Sequence, residues 1–194
     1  MKDAGSDRCK DPLDSFQVVT VHPRDLVAPN FRVYELTRSD LAIRQGIDNG
    51  FETDAQLRAA VHLAREVLQP LRDAFGSFTP NSVFRGQRLE RALKRKPSSW
   101  ISTSQHARGE ACDVEIAGTP TLELAQWATA PATAAWTLAV NVSARQFRHP
   151  DFTAQLLDLL RVSGANPYRL KLELTESMLL SDFDDVIVKM GELR

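Results

Sequence analysis

The segment STSQHARGEACDVEI, residues 102–116, gathers groups that can do chemistry. His106 and Asp113 stand seven positions apart with Gly109 between them. An imidazole nitrogen and a carboxylate oxygen are both good zinc ligands, and a glycine lets the chain turn so that both reach one ion. A hydrogen-bonded surface or capping pair would use the same two residue types, so the spacing alone leaves both readings open. Glu110 and Glu115 are near enough in sequence to act on a metal-bound water. A second set lies further on. Asn141 ends an apolar run and Glu173 sits in the next one, where neighbouring strands could aim both at one mouth. Oxygen donors of that kind suit Mg²⁺ or Mn²⁺. Polar residues at strand ends making structural hydrogen bonds are the competing reading.

The first segment resembles the signature SxHxxGxAxD of zinc D-Ala-D-Ala carboxypeptidases and related phage endolysin peptidases, at Ser104, His106, Gly109, Ala111 and Asp113. FRGQRLERAL resembles the tyrosine-arginine segment that precedes it, with Phe84 for the tyrosine, Arg85 retained and Leu89 in register; Ser82-Val83 replaces the usual Ser-Gly. YELTRSDLAIRQGIDN and LAREVLQPLRDAFG resemble the family's amino-terminal part, so the likeness covers about Phe31 to Ala117. It implies that His106 and Asp113 bind zinc, that Arg85 holds substrate charge and that Ser104 hydrogen-bonds substrate. The family takes its third ligand, a histidine, and its catalytic acid/base from downstream of the aspartate. His149 is the only histidine after Asp113, and beside Pro150 it reads as a surface residue. His62 falls off the apolar stripe of its helix, and His22 lies in the amino-terminal arm.

From Leu124 onward the chain resembles EAL-type cyclic-di-GMP phosphodiesterases, most clearly in VNVSARQF and LKLELTES. That likeness implies a piece of a (β/α)8 barrel with Asn141 and Glu173 as ligands of Mg²⁺ or Mn²⁺, and Glu176 as the less favoured alternative. The Glu-Ala-Leu strand and the later Asp-Asp-Phe-Gly strand are absent, which leaves about two strand-helix units of eight. Such a piece exposes apolar faces and open edges, so self-association through them is expected.

The elements needed to position these groups follow from local pattern. Residues 1–30 read as a loose arm with one strand at Phe16 to Val21. Leu57, Val61, Ala64, Leu68, Leu71 and Phe75 form a helical stripe, opened by a Thr53/Gln56 capping box and closed by a left-handed cap at Gly76. Pro70 should kink or break that helix near Leu68. A short strand around Val83 and a solvated basic helix at LERALKRK come next, then a helix at Leu122 to Ala128 and a connector at Pro131 to Ala135. Beyond these the order is strand Thr137 to Val142, helix Phe152 to Val162 closed by Gly164, strand Leu170 to Leu174, and helix Phe183 to Leu193. The expected fold is an α+β zinc-peptidase-like region at 31–118, joined between Gly118 and Leu124 to a partial βαβα barrel piece at 119–194.

Bulk properties bound the rest. With 24 Lys plus Arg against 25 Asp plus Glu in 194 residues, charge gives no reason to expect a nucleic-acid or membrane-surface partner. Cys9 and Cys112 do not form a CxxC pair. The first twenty residues carry charges throughout and no signal-like apolar run, so a soluble cytoplasmic protein is expected. Two functional readings follow. One is a cell-wall peptide hydrolase fused to an incomplete cyclic-di-GMP phosphodiesterase segment, inactive as it stands because neither ligand set is complete. The other is a non-catalytic metal- or protein-binding remnant.

Overall fold

The stripe that begins at Leu57 forms the spine of the first part of the chain. The protein was analysed as a computed structural model that describes residues 12–119, 127, 137–142, 147–164, 166–174 and 183–193. These divide between two units, Met1–Ala117 and Gly118–Arg194. In the first, helix α3 (Asp54–Leu63) opens on the expected capping box. Thr53 Oγ1 accepts from the Gln56 amide at 3.3 Å, and Gln56 Oε1 accepts from the Thr53 and Glu52 amides at 3.1 and 3.0 Å. Leu57, Ala60, Val61, Ala64, Leu68 and Leu71 are buried along one face.

The Pro70 break takes the form of a π-helical turn at Ala64–Leu68, followed by α4 (Gln69–Phe75). A proline ring collides with the carbonyl four residues back in a regular helix and offers no N–H. Here the Gln69 amide reaches back five residues to the Ala64 carbonyl. The wider turn absorbs the misfit. Gly76 has φ 84° but ψ −168°, so the helix ends on a positive φ without the left-handed cap that was expected.

Residues 12–30 pack onto the spine, which corrects the expectation of a loose arm. Phe16 is buried, its carbonyl accepts from Arg58 Nε at 3.2 Å, and the Val18 amide donates to Asp54 Oδ1 at 2.8 Å. Those two backbone groups are bound to helix side chains and are not free to join a ladder. The strand therefore falls later, at β1 (Leu26–Ala28), paired antiparallel with β2 (Phe31–Arg32). Helices α1 (Val33–Thr37) and α2 (Asp40–Gln45) follow, the latter capped by Ser39.

The expected strand around Val83 is reduced to an isolated antiparallel bridge between Ser82 and Asp113. The basic stretch forms α5 (Gln87–Lys94), but Leu89 and Glu90 on it are buried and Lys94 folds onto Glu90, so it is not a simple solvated face. The motif segment forms the short α6 (Gln105–Arg108).

One buried side chain, which the sequence did not single out, ties these pieces together. Asn49 Nδ2 donates to the Thr37 carbonyl at 2.7 Å and to the Phe84 carbonyl at 3.0 Å, while its Oδ1 accepts from the Gly86 amide at 2.8 Å. It fixes the backbone on both sides of Arg85.

In the second unit, β3 (Leu138–Val142) pairs parallel with β4 (Leu170–Leu174), joined through α7 (Phe152–Ser163) and followed by α8 (Phe183–Glu192). Gly164 closes α7 with φ 68°, as expected. Asn141 and Glu173 are register partners. Val142, Phe147 and Val186 form a small core with Phe152 and Leu172 against it. Val162, Tyr168, Ile187, Val188 and Met190 are exposed. A short 3-10 turn at Pro167–Arg169 precedes β4, and Trp127 and Phe147 are also helical. Parallel pairing through a helix is common to many α/β folds, so it does not single out a barrel piece. The helix expected at Leu122 to Ala128 (Trp127 apart), the connector at Pro131 to Ala135, and Glu176 lie outside the described residues. Among the described residues no helix is long and apolar enough to cross a membrane.

Replacing Asn49 by Ala should lower stability by about 2–4 kcal/mol, because three backbone hydrogen bonds are lost and buried groups are left unpaired. Urea unfolding measures this. A loss below about 0.5 kcal/mol, within the range of ordinary surface changes, would remove Asn49 from its role.

Candidate metal centre

His106 and Asp113 are brought together by backbone before side chains enter. The Asp113 amide donates to the Ser82 carbonyl at 2.7 Å, and the Asn81 amide donates to the Asp113 carbonyl at 2.8 Å. The Arg85 amide donates to the His106 carbonyl at 3.1 Å. Segment 81–85 is thus laced to both ends of the motif.

The turn between the two residues needs glycine. Gly109 has φ 76°, and a Cβ there would meet the Gln56 carbonyl oxygen at 2.6 Å and the Ala60 nitrogen at 3.1 Å. The same Gln56 that caps α3 donates from Nε2 to the Ala107 carbonyl at 3.1 Å. The motif turn is pressed against the first turns of α3 and bonded to its cap.

The side chains then meet. His106 Nε2 lies 3.3 Å from Asp113 Oδ1, with the imidazole nearly buried and the carboxylate half exposed. His106 Nδ1 lies 2.8 Å from the Val83 carbonyl, which can only accept, so Nδ1 carries the proton. A neutral His106 consequently turns the Nε2 lone pair toward a carboxylate oxygen. Two acceptors at that distance call for a cation between them, a proton or a metal ion. Two ligands each about 2.1 Å from a tetrahedral zinc are about 3.4 Å apart. The pair fits that separation, and a carbonyl on the far imidazole nitrogen is the support that metal-binding histidines use.

Arg85 flanks the pair. Its Nη1 is 3.8 Å from Asp113 Oδ2, and its Nε is 3.0 Å from Glu90 Oε1, a charge contact without the alignment of a hydrogen bond. Glu90 is fully buried and also takes Lys94 Nζ and Ser102 Oγ on Oε2, each at 2.6 Å. Burial pushes the Glu90 carboxyl up, but the Lys94 and Ser102 hydrogen bonds and the Arg85 and Lys94 charges outweigh it, and its pKa is lowered. Asp113 behaves the same way: burial raises it, His106 and Arg85 lower it further, and the net is a drop. Burial and the adjacent Asp113 charge push the Cys112 thiol up to about 12. A cleft of about 560 Å³ is lined by Arg38, Asp40, Asn81, Ser82 and Arg85 among others; Arg85 reaches it, whereas His106 and Asp113 do not line it.

The remaining sequence candidates fall elsewhere. Ser104 Oγ accepts from the His106 amide as the N-cap of α6. Glu110 is held by Arg108 at 2.7 Å, and Glu115 is exposed. His62 and His22 are exposed, as expected. His149, in the second unit, is exposed and accepts from the Asp151 amide through Nδ1 at 3.3 Å. Among the described residues no three His, Cys, Asp or Glu side chains gather as a metal site. Glu173 is exposed on β4. Sequence reasoning missed Glu90, which was read as part of a charged face; an acidic residue inside a basic run was the available signal.

Two outcomes follow. Gly109→Ala should cost about 2–5 kcal/mol in urea unfolding, combining a left-handed backbone penalty with a backbone clash; a cost under about 1 kcal/mol would show the turn can move away from α3. For Glu90, a lowered folded pKa gives stability that is full above the ordinary glutamate value of roughly 4.3 and lost as pH falls through the lowered value. The stability gap between wild type and Glu90→Gln should therefore be constant near neutrality and narrow in acid. A gap that stays constant through the acid range would contradict it.

Comparison with known proteins gives one family. The Peptidase M15 family matches residues 29–149, more than half of the chain and across the boundary expected near residues 118–124. No curated protein and no solved structure matches. The match contains segment 81–85, the Gly109 turn and the facing His106–Asp113 pair, and the chain belongs to the Peptidase M15 family.

Proposed function

We propose that the first unit is a zinc-dependent peptidase-type domain directed at cell-wall peptides ending in D-Ala-D-Ala, with His106 and Asp113 as two of the zinc ligands. The observation that carries it is the 3.3 Å separation of His106 Nε2 and Asp113 Oδ1, with Nδ1 held by the Val83 carbonyl. The family match supports the hydrolase class. When bound, zinc would supply Lewis acidity and an activated water. The chain's own residues hold the rest: Val83 sets the imidazole tautomer, Arg85 offers a cation to a substrate carboxylate, and the cleft that Arg85 lines has room for a peptide end. Catalytic zinc sites use three protein ligands and an open position. The donors described offer two, so the reading includes slow or absent turnover by the chain as it stands.

A second reading keeps the EAL resemblance for the second unit, with Asn141 and Glu173 as Mg²⁺ or Mn²⁺ ligands and cyclic-di-GMP as the molecule recognised. Only the sequence likeness and the parallel pairing of Asn141 with Glu173 favour it, and no comparison supports it.

Zinc counted on the purified chain tests the first reading. About one zinc per chain is expected, lost in both His106→Ala and Asp113→Ala, with no measurable D-alanine release from D-Ala-D-Ala peptides. Zinc retained by both variants would overturn the assigned ligands. Zinc-dependent D-alanine release abolished by Asp113→Ala would overturn the expected inactivity and show that a third ligand completes the site.

A further inference from the structure

Glu90 is a charged side chain with no exposed surface, set on the face of α5 that meets Arg85. Burying a carboxylate is costly unless it is paired and hydrogen-bonded. Here Ser102 and Lys94 satisfy one oxygen, while the other faces Arg85 Nε alone. Arg85 thus lies between two carboxylates, 3.0 Å from Glu90 and 3.8 Å from Asp113. The competition between them decides where the guanidinium sits. Without Glu90, Asp113 would be the carboxylate left paired with it among the described residues, and a close ion pair would compete for the group that faces His106. With Glu90 the nearer contact lies on the core side, and the guanidinium remains at the wall of the cleft.

The geometry points to Glu90 as a positioning residue that holds Arg85 off Asp113 and presents it to an anionic group in the cleft, the terminal carboxylate of a peptide. This deepens the proposed function and rests on its substrate class. Ser102 and Lys94 act one step back, fixing the Glu90 oxygen that Arg85 does not use. An arginine held this way is charged at every pH of interest and offers two parallel donors to a carboxylate.

The test compares an N-acetylated peptide ending in D-Ala-D-Ala with the same peptide as its carboxyl-terminal amide. Calorimetry on the full chain, with zinc counted in the same samples, reads the acid-to-amide affinity ratio. Wild type should favour the acid by about tenfold, the scale of one charge-assisted contact. Arg85→Gln and Glu90→Gln should each bring the ratio close to one. Glu90→Asp keeps a carboxylate in the core but withdraws it by one methylene, and should give an intermediate ratio. Arg58→Gln, whose bonds run to Phe16, Asp14 and Asp54 and not to the Glu90 group, should lower the melting temperature and leave the ratio as in wild type. A wild-type ratio near one, or ratios unchanged in both Glu90 variants, would overturn the inference. If Glu90→Gln fails to fold, the Glu90→Asp ratio decides alone. A chain that prefers the acid but holds no zinc would overturn the metal reading and leave the Glu90 role standing; zinc held with equal acid and amide binding would do the reverse.

Discussion

The site rests on one backbone junction, the bridge in which Ser82 and Asp113 exchange hydrogen bonds. It joins two segments about thirty residues apart in sequence, which have no other ladder to hold them. Closing such a loop costs several kcal/mol of chain entropy, more than two backbone bonds return. The difference is met by what lies inside the loop: buried Phe84 and Leu89, the Glu90 network, and the Gln87 side chain bonded to both the amide and the carbonyl of Ser102. The facing imidazole and carboxylate are a product of that closure. The imidazole adds to it through the Nδ1 contact with the Val83 carbonyl at 2.8 Å.

Glu90 shows how a charge can be a core residue. Its oxygens receive a lysine, a hydroxyl and a guanidinium, so the carboxylate stays ionised in a place where an isolated one would not. Arg72 plays the matching part on the other side of the spine. Its guanidinium lies over the Phe31 ring at 3.6 Å, pairs with Glu35 at 3.2 Å, and donates to the Asn30 and Phe78 carbonyls. In both cases a charged side chain from a helix binds polar groups of loop segments, Ser102 and Arg85 for Glu90 and the Asn30 and Phe78 carbonyls for Arg72. This is a workable substitute for a sheet in a unit whose only regular strand pairing among the described residues is a short hairpin.

What could be read from sequence was what depends on local pattern. The Thr53/Gln56 box, the apolar stripe, the break at Pro70 and the strand-helix order of the second unit are all encoded within a few positions. The nearness of His106 to Asp113 was legible because the Gly109 turn is local and the motif is specific. What was not legible depended on distant partners. Asn49 looks like any loop asparagine until three backbone groups from two segments meet it. Phe16 looks like the start of a strand until Arg58 takes its carbonyl. Glu90 looks solvated until Arg85 and Ser102, from elements before and after it, close over it.

Gln56 has a place in two structures at once, as the cap of α3 and as the donor to the Ala107 carbonyl in the motif turn. Helix ends fray on fast timescales, and local openings of this kind are the lowest-energy excursions a folded chain makes. Here the first turn of α3 cannot unwind without releasing the loop that carries His106. The breathing of the helix end and the breathing of the centre are one event. Amide exchange in the two segments would be coupled, through a glutamine that touches neither of the two facing groups.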